Sequence, residues 1–223
     1  MDNFTPLKVY IIGAGSHALV IADILFNMPN YQPAGFIEKD EFLKQTEKKV
    51  TPNLILPIYA QAKFLKEYKK NKDGYLLLGL GQNFISVREQ FINELNTNFF
   101  CTAIHPRSVV AASVEIGAGT VVMAGAVLNP FVRVGRYATI NTGAIVDHES
   151  EIKDNSFIQP GAHLAGNVTV GRNSIIGIGA TIKEGIVIGS NSIVGGGAFV
   201  NKNVPDNVVY VGVPAKKLRN NYN

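Results

Sequence analysis

Between Ile104 and Val200 an aliphatic residue recurs at every sixth position. Ile104, Val110, Ile116, Val122, Leu128, Val134, Ile140, Val146, Ile152, Ile158, Leu164, Val170, Ile176, Ile182, Ile188, Val194 and Val200 follow one another with no slip and no insertion. The next position is often glycine, as at Gly117, Gly135, Gly171, Gly177, Gly189 and Gly195, and the fifth is mostly small, as at Thr120, Ala126, Ala138, Ser150, Ser156, Ser174 and Ser192. An α-helix cannot produce a period of six, because its 3.6-residue turn would carry the aliphatic position around the surface. The β-branched bias argues for short strands. The pattern predicts a solenoid of strands and turns, with the aliphatic residue in the core, a small residue closing each corner and glycine easing the turns. Such a unit buries a core only by stacking, which is why the repeats run in series.

The first hundred residues are patterned differently. An apolar run over 8–12 predicts a strand, and Leu19, Val20, Ala22, Ile24 and Leu25 predict a helix behind it. A second strand is expected over 34–37 ending in Glu38, a helix near 61–68, a strand over 75–78 and a helix over 85–95. Strands alternating with helices predict a small parallel α/β unit of Rossmann-like type over 1–100, followed by the β-helix and its tail over 101–223.

Composition narrows the function. Hydrophobic residues make up 46% and charged residues 17%, an ordinary globular balance. The single cysteine, Cys101, excludes a disulfide framework, and beside Phe99 and Phe100 it reads as a buried thiol. No apolar stretch approaches the roughly 20 residues of a membrane span. The opening Met1, Asp2 and Asn3 lack the basic start of a signal peptide, so a cytoplasmic protein is expected. Net charge is +4, with lysines clustered over 44–49 and 63–72. No aromatic-basic motif accompanies them, so no nucleic-acid partner is expected. The balance suits anionic small molecules.

Gly13-x-Gly15-x-x-Ala18 lies between a predicted strand and a predicted helix, as in dinucleotide-binding folds. Backbone N–H groups there would cradle phosphate, and Glu38 at the second strand end is placed to accept from a ribose or base. NAD is set aside, because the unit has about 100 residues and is fused to a different scaffold. A further turn, Gly79-Leu80-Gly81-Gln82-Asn83, would bring Gly81 and Asn83 to the same sheet edge.

The chain has four histidines, His17, His105, His148 and His163. His17 belongs to the glycine turn, and His105 beside Pro106 reads as structural. His148 takes the third place of its hexad, an outward corner, between Asp147 and Glu149. A histidine paired with a carboxylate suits acyl transfer from a thioester: the imidazole takes a proton from the nucleophile and the carboxylate orients the ring. His163, fifteen residues on, either lines a cleft or decorates the outside. The spacing of these histidines does not suit a three-histidine zinc site, so no metal is expected.

Gly13-Ala14-Gly15-Ser16-His17, Asp147-His148-Glu149 and Gly212-Val213-Pro214-Ala215-Lys216 together resemble one bacterial family of hexapeptide-repeat acyltransferases. It holds the nucleotide-linked 4-amino-sugar N-acetyltransferases of the bacillosamine type and the sialic acid O-acetyltransferases of capsule gene clusters. The resemblance runs over nearly the whole chain. It implies a left-handed β-helix with three hexads per coil, and a homotrimer with active sites between neighbouring β-helices. It implies acetyl-CoA as cosubstrate and a UDP-, GDP- or TDP-linked amino sugar as acceptor, in surface glycan biosynthesis such as that of lipopolysaccharide, O-antigen or capsule.

By the same resemblance His148 is the general base, Glu149 raises its basicity, and the N–H of Gly166 stabilises the oxyanion. Ile178 and Gly196 match positions that contact coenzyme A. Gly13, Gly15, Ser16 and His17 match the sugar-nucleotide loop, with Glu38 and Lys39 at base and ribose and Gly81 nearby. Asn141, Phe157 and His163 are candidates for the cleft. Two departures stand out: Phe157 occupies a place where some members carry a second histidine near coenzyme A, and Glu38-Lys39-Asp40 replaces consecutive aspartates. The implied reaction is direct attack of a sugar 4-amino group on acetyl-CoA. The alternatives are O-acetylation of a sialic or related nonulosonic acid, and a non-catalytic trimeric scaffold that senses a nucleotide.

Overall fold

The glycine turn after the first strand sets the plan of the first unit. In the computed structural model, which describes residues 5–221, the chain divides into two compact units, Met1–His105 and Pro106–Asn223. Met1, Asp2 and Asn3, which carried the expectation about a signal peptide, lie outside the described residues.

In the first unit β1 (Leu7–Ile12) leads through the turn into α1 (Ser16–Phe26) and back to β2 (Tyr31–Glu38). A hairpin follows, β3 (Glu47–Thr51) and β4 (Leu54–Ala60), then α2 (Gln61–Asn71), β5 (Tyr75–Leu78) and α3 (Ile85–Glu94). The sheet order is β3-β4-β2-β1-β5. Ile11 and Ile12 point to opposite faces of β1, yet both are buried, so the strand is covered on both sides. That burial explains why the strand reads as a continuous apolar run. β1 pairs in parallel with β2 and β5, placing Ile12 beside both Ile37 and Leu78. The three loops that follow therefore leave the sheet at one edge, the place where open α/β sheets bind ligands.

The expected all-parallel sheet needs one correction. β3 runs antiparallel to β4, with Lys48 opposite Leu56. Only Pro52 and Asn53 separate the two strands, and so short a link can reverse a chain but cannot cross over to a parallel partner. The lysines over 44–49 thus lie at and around an edge strand, where charge discourages pairing with another chain. The other lysine cluster lies on α2, above the buried Tyr68, as its pattern suggested.

The second unit is a left-handed parallel β-helix built from two-residue strands. Each strand pairs with the strand eighteen residues on: Val127 with Ile145, Arg133 with Glu151, Thr139 with Phe157. Three faces alternate, so three hexads make one coil. From Val122 to Val200 every first-place aliphatic is at most 4% exposed. Burying one such side chain stabilises by about 1.5–3 kcal/mol, and the series repeats this over every coil.

The small fifth-place residues do more than let corners close. Ser174 Oγ donates to Gly189 O at 2.6 Å and accepts from Ser192 N at 3.0 Å, and Ser156 and Ser192 repeat the arrangement. At the fourth places an asparagine ladder runs along one corner, from Asn155 through Asn173 and Asn191 to Asn207, at 3.0–3.1 Å per step. The coil continues past Pro205. Val209 pairs with Ile193, sixteen residues back rather than eighteen, and the strand Val208–Val211 then pairs antiparallel with Lys216–Asn220.

Candidate active site

The loops at the carboxyl edge of the first unit enclose a cavity of about 730 Å³. Gly13, Gly15, Ser16, His17, Glu38, Lys39, Gly81 and Asn83 all line it. Gly13 has a φ of +99°, open to glycine and strained for other residues. Gly79 is held to glycine by space instead: an added Cβ would lie 2.5 Å from Ile11 Cγ2 and 2.7 Å from Ala18 Cβ.

Glu38 holds the turn. Its Oε2 accepts from Ala14 N at 3.1 Å and its Oε1 from Lys39 N at 2.9 Å. Lys48, reaching over from the hairpin, donates its Nζ to Ala14 O. Arg88 of α3 is wholly buried and donates to Leu80 O at 2.7 Å and Leu78 O at 3.3 Å, fixing the turn after β5. Burial lowers its pKa to about 9. Burial, and then the nearby Arg88 charge, lower that of His17 to about 4, so its ring is neutral near pH 7.

Sequence reasoning missed Phe42, Gln61 and Phe84 in the cavity wall. It also missed Lys48 and Arg88 as supports. Phe42 and Phe84 are half or more exposed, and no motif marks them.

On the β-helix a corner carries Asp147, His148 and Glu149. His148 Nδ1 lies 3.2 Å from Glu149 Oε2. With Nδ1–H donated to the carboxylate, Nε2 is left as the proton acceptor. Asp147 Oδ1 accepts from the backbone N of His148 at 2.8 Å and from Asn129 Nδ2 at 2.7 Å. These two bonds, the backbone one foremost, hold the Asp147 carboxyl below its usual range.

Gly166 lies eighteen residues after His148 and forms the floor under its ring. A Cβ there would sit 2.5 Å from His148 Cε1 and 2.6 Å from Nε2. The residue before Gly166 is Ala165, which cannot supply the side-chain acceptor that Asp147 gives to His148 N. The Gly166 N–H accordingly has no hydrogen-bond partner among the described residues, although the residue is buried. A buried, unpaired backbone donor calls for a ligand.

The remaining candidates lie elsewhere. Ile178, 64% exposed, and Gly196 follow a different face of the coil from His148, with Gly196 stacked one coil beyond Ile178. His163 stands exposed on a flat strand, in register with Ile145 and Thr181. Phe157 is 1% exposed, and Asn141 Oδ1 accepts from Thr142 N at 2.8 Å. Cys101 is buried and its thiol is pushed up to about 12, away from nucleophilic use. Among the described residues no three His, Cys, Asp or Glu side chains gather as a metal site would require.

A glycine-turn unit followed in sequence by a hexapeptide β-helix with a His–carboxylate corner is the architecture of a sugar-nucleotide acyltransferase. The PglD N-terminal domain family matches residues 8–95, and the bacterial transferase hexapeptide family matches 149–183 and 167–202. Solved structures agree over almost the full length. A mutant of perosamine N-acetyltransferase from Caulobacter crescentus, in complex with CoA and GDP-perosamine, is 32% identical at a TM-score of 0.84, over 94% of this chain and 96% of that one. The acetyltransferase domain of PglB from Neisseria gonorrhoeae FA1090, in complex with acetyl coenzyme A, is 30% identical at 0.83, over 96% and 100%. WeeI from Acinetobacter baumannii AYE is 27% identical at 0.71, over 95% and 99%. No curated protein matches the chain. The chain belongs to the hexapeptide-repeat family of nucleotide-sugar N-acetyltransferases.

Proposed function

We propose that the protein transfers the acetyl group of acetyl-CoA to the 4-amino group of a nucleotide-linked amino-deoxy sugar. The observation that carries the reading is the corner where His148, paired with Glu149, lies against Gly166 and its unpaired N–H. The neutral amine attacks the thioester carbonyl, and a C–N bond forms. His148 Nε2 takes the proton released from the nitrogen, while Glu149 steadies the resulting imidazolium. The oxyanion gathers at Gly166 N–H, where such a donor contributes about 3–4 kcal/mol to the transition state. The intermediate collapses, the C–S bond breaks, and the coenzyme A thiolate recovers the proton from His148. No acyl-enzyme is needed, and the buried Cys101 offers none.

The nucleotide occupies the cavity of the first unit, with its phosphates on the N–H groups of Gly13 to His17 and its ribose or base near Glu38 and Lys39. Ile178 and Gly196 receive coenzyme A. Because they follow a different face of the coil from His148, one β-helix cannot close both around a single acetyl group. A homotrimer, in which the edge of one copy meets the edge of the next, brings them together. The protein acts in the cytoplasm, in the assembly of a surface glycan. No helix among the described residues is long and apolar enough to cross a membrane.

The test is release of free coenzyme A with GDP-perosamine, with UDP- and TDP-linked 4-amino-6-deoxy sugars, and with free sialic acid. Release with one nucleotide sugar, abolished by His148→Ala, is expected. Release with sialic acid alone would move the reaction to O-acetylation, and silence throughout would leave a nucleotide-binding scaffold.

A further inference from the structure

From Gly119 to Gly197 the β-helix turns its corners through a left-handed residue at the fourth place of the hexad. All fourteen such places have positive φ, and eleven of them are Gly or Asn, the residues that adopt this conformation most easily. The exceptions are Phe131, Tyr137 and Glu149, with φ of 64°, 58° and 57°. Two have an evident reason. Tyr137 is 1% exposed and fills the space over Gly119. Glu149 supplies the carboxylate to His148.

Phe131 has no such reason among the described residues. It is 63% exposed, and among the described residues its one hydrogen bond is through the backbone, from its N to Ser113 Oγ at 3.0 Å. A lone exposed phenylalanine needs no explanation. A bulky aromatic held left-handed, where Gly or Asn serves elsewhere, does. Its position supplies one: Phe131 is one coil before Glu149 in the same column, and Pro130 is likewise one coil before His148, with Glu149 N donating to Pro130 O at 3.1 Å.

We propose that Phe131 is a specificity residue that forms an apolar wall against the carbon face of the acceptor amino sugar, on the edge that bears its 6-deoxy methyl group. The inference rests on the reading of the His148 corner as the acyl-transfer site. Gly166, the oxyanion donor, lies one coil after His148, so the acetyl carbonyl occupies that side. The amine must approach from the other side, where Phe131 occupies the neighbouring coil, its backbone about 4.8 Å from that of Glu149. A flat aromatic face excludes water from a C–H-rich sugar face and favours a methyl over a hydroxymethyl group.

The experiment compares the unsubstituted protein with Phe131→Asn and Phe131→Tyr. The acceptors are GDP-perosamine and its 6-hydroxy counterpart, or the UDP- or TDP-linked pair if coenzyme A release selects that nucleotide. Phe131→Asn adopts the residue used at other corners, so its melting temperature should not fall. Its KM for the 6-deoxy sugar should rise about tenfold, its preference for 6-deoxy over 6-hydroxy should fall to near unity, and its KM for acetyl-CoA should not change. Phe131→Tyr should retain the preference. Unchanged acceptor KM and preference in Phe131→Asn would overturn the proposal and leave the acetyltransferase reading intact. So would a rise confined to acetyl-CoA, or dissociation of the assembly in sedimentation, which would make Phe131 a donor-site or subunit contact. If the unsubstituted protein released no coenzyme A with any amino sugar, the functional reading would fall and this inference with it.

Discussion

The imidazole of His148 rests directly on Gly166, close enough that a single added carbon would lie 2.5 Å from Cε1. The two residues are one coil apart, so the eighteen-residue period that stacks the core also sets the proposed base against the proposed oxyanion donor. Gly166→Ala should push the exposed ring aside rather than unfold the corner, since Gly166 is not among the positive-φ glycines. We expect kcat to fall at least about 100-fold, as misplacement by an ångström does elsewhere, with stability changed by less than about 1 kcal/mol. Full activity in a normally folded Gly166→Ala protein would refute the placement of both groups.

Asp147 is expected to act on His148 through the backbone. Its Oδ1 holds both His148 N and Asn129 Nδ2, so Asp147→Ala frees the corner that presents the imidazole. A fall in kcat of about tenfold is expected, with KM for either substrate little altered. Asp147→Asn keeps an acceptor oxygen and should recover most of the activity. A structural role alone would lower the melting temperature of both variants without separating them in kcat. Because the Asp147 pKa is lowered by these bonds, its contribution is present above the ordinary carboxylate range and is lost as pH falls through the lowered value.

Much of this was legible in the sequence because the β-helix repeats one instruction many times. A single-residue slip would have exposed every later core position, so the seventeen aliphatic places fixed the register without ambiguity. The glycine turn and Glu38 were legible because a strand, a turn and a helix require those residue types in that order. The β3–β4 hairpin was not. Its lysines read as surface charge, and their pairing depends on a turn at Pro52 and Asn53 that carries no strong hairpin signature. Nor was Arg88, since nothing in the pattern of α3 marks which charged residue turns inward. Gly166 was reached through family likeness, although eighteen-residue spacing from His148 would have placed it beneath the ring.

The asparagine ladder should be a larger source of stability than any surface pair. Asn173 is 5% exposed, sits at a φ of 57°, accepts from Asn155 and donates to Asn191 at 3.0 Å each. Asn173→Ala loses both bonds and forces alanine into the left-handed region. We expect a loss of about 2–4 kcal/mol, read as a lower urea midpoint. Asn173→Gly removes the ladder but not the backbone ease, and should lose about 1 kcal/mol less. Equal losses would show that the left-handed turn itself carries no penalty at this corner.

His17 should make the protein acid-sensitive through the cavity at the glycine turn. Its pKa is lowered from 6.5 to about 4, first by burial and then by Arg88. Above about pH 6.5 the ring is neutral in folded and unfolded chains alike, and it contributes no pH dependence. Between about 6.5 and 4 the unfolded chain binds a proton that the folded chain refuses, so stability falls as pH falls, by up to roughly 3 kcal/mol. Below about 4 both forms are protonated and this contribution levels off. His17→Gln should remove that part of the slope while leaving other acid-sensitive groups in place. Urea unfolding at pH 7 and at pH 4.5 measures it: the two proteins should differ in the size of the acid-induced loss. The same loss in both would mean that the ring gains its proton as readily in the folded protein as in the unfolded chain.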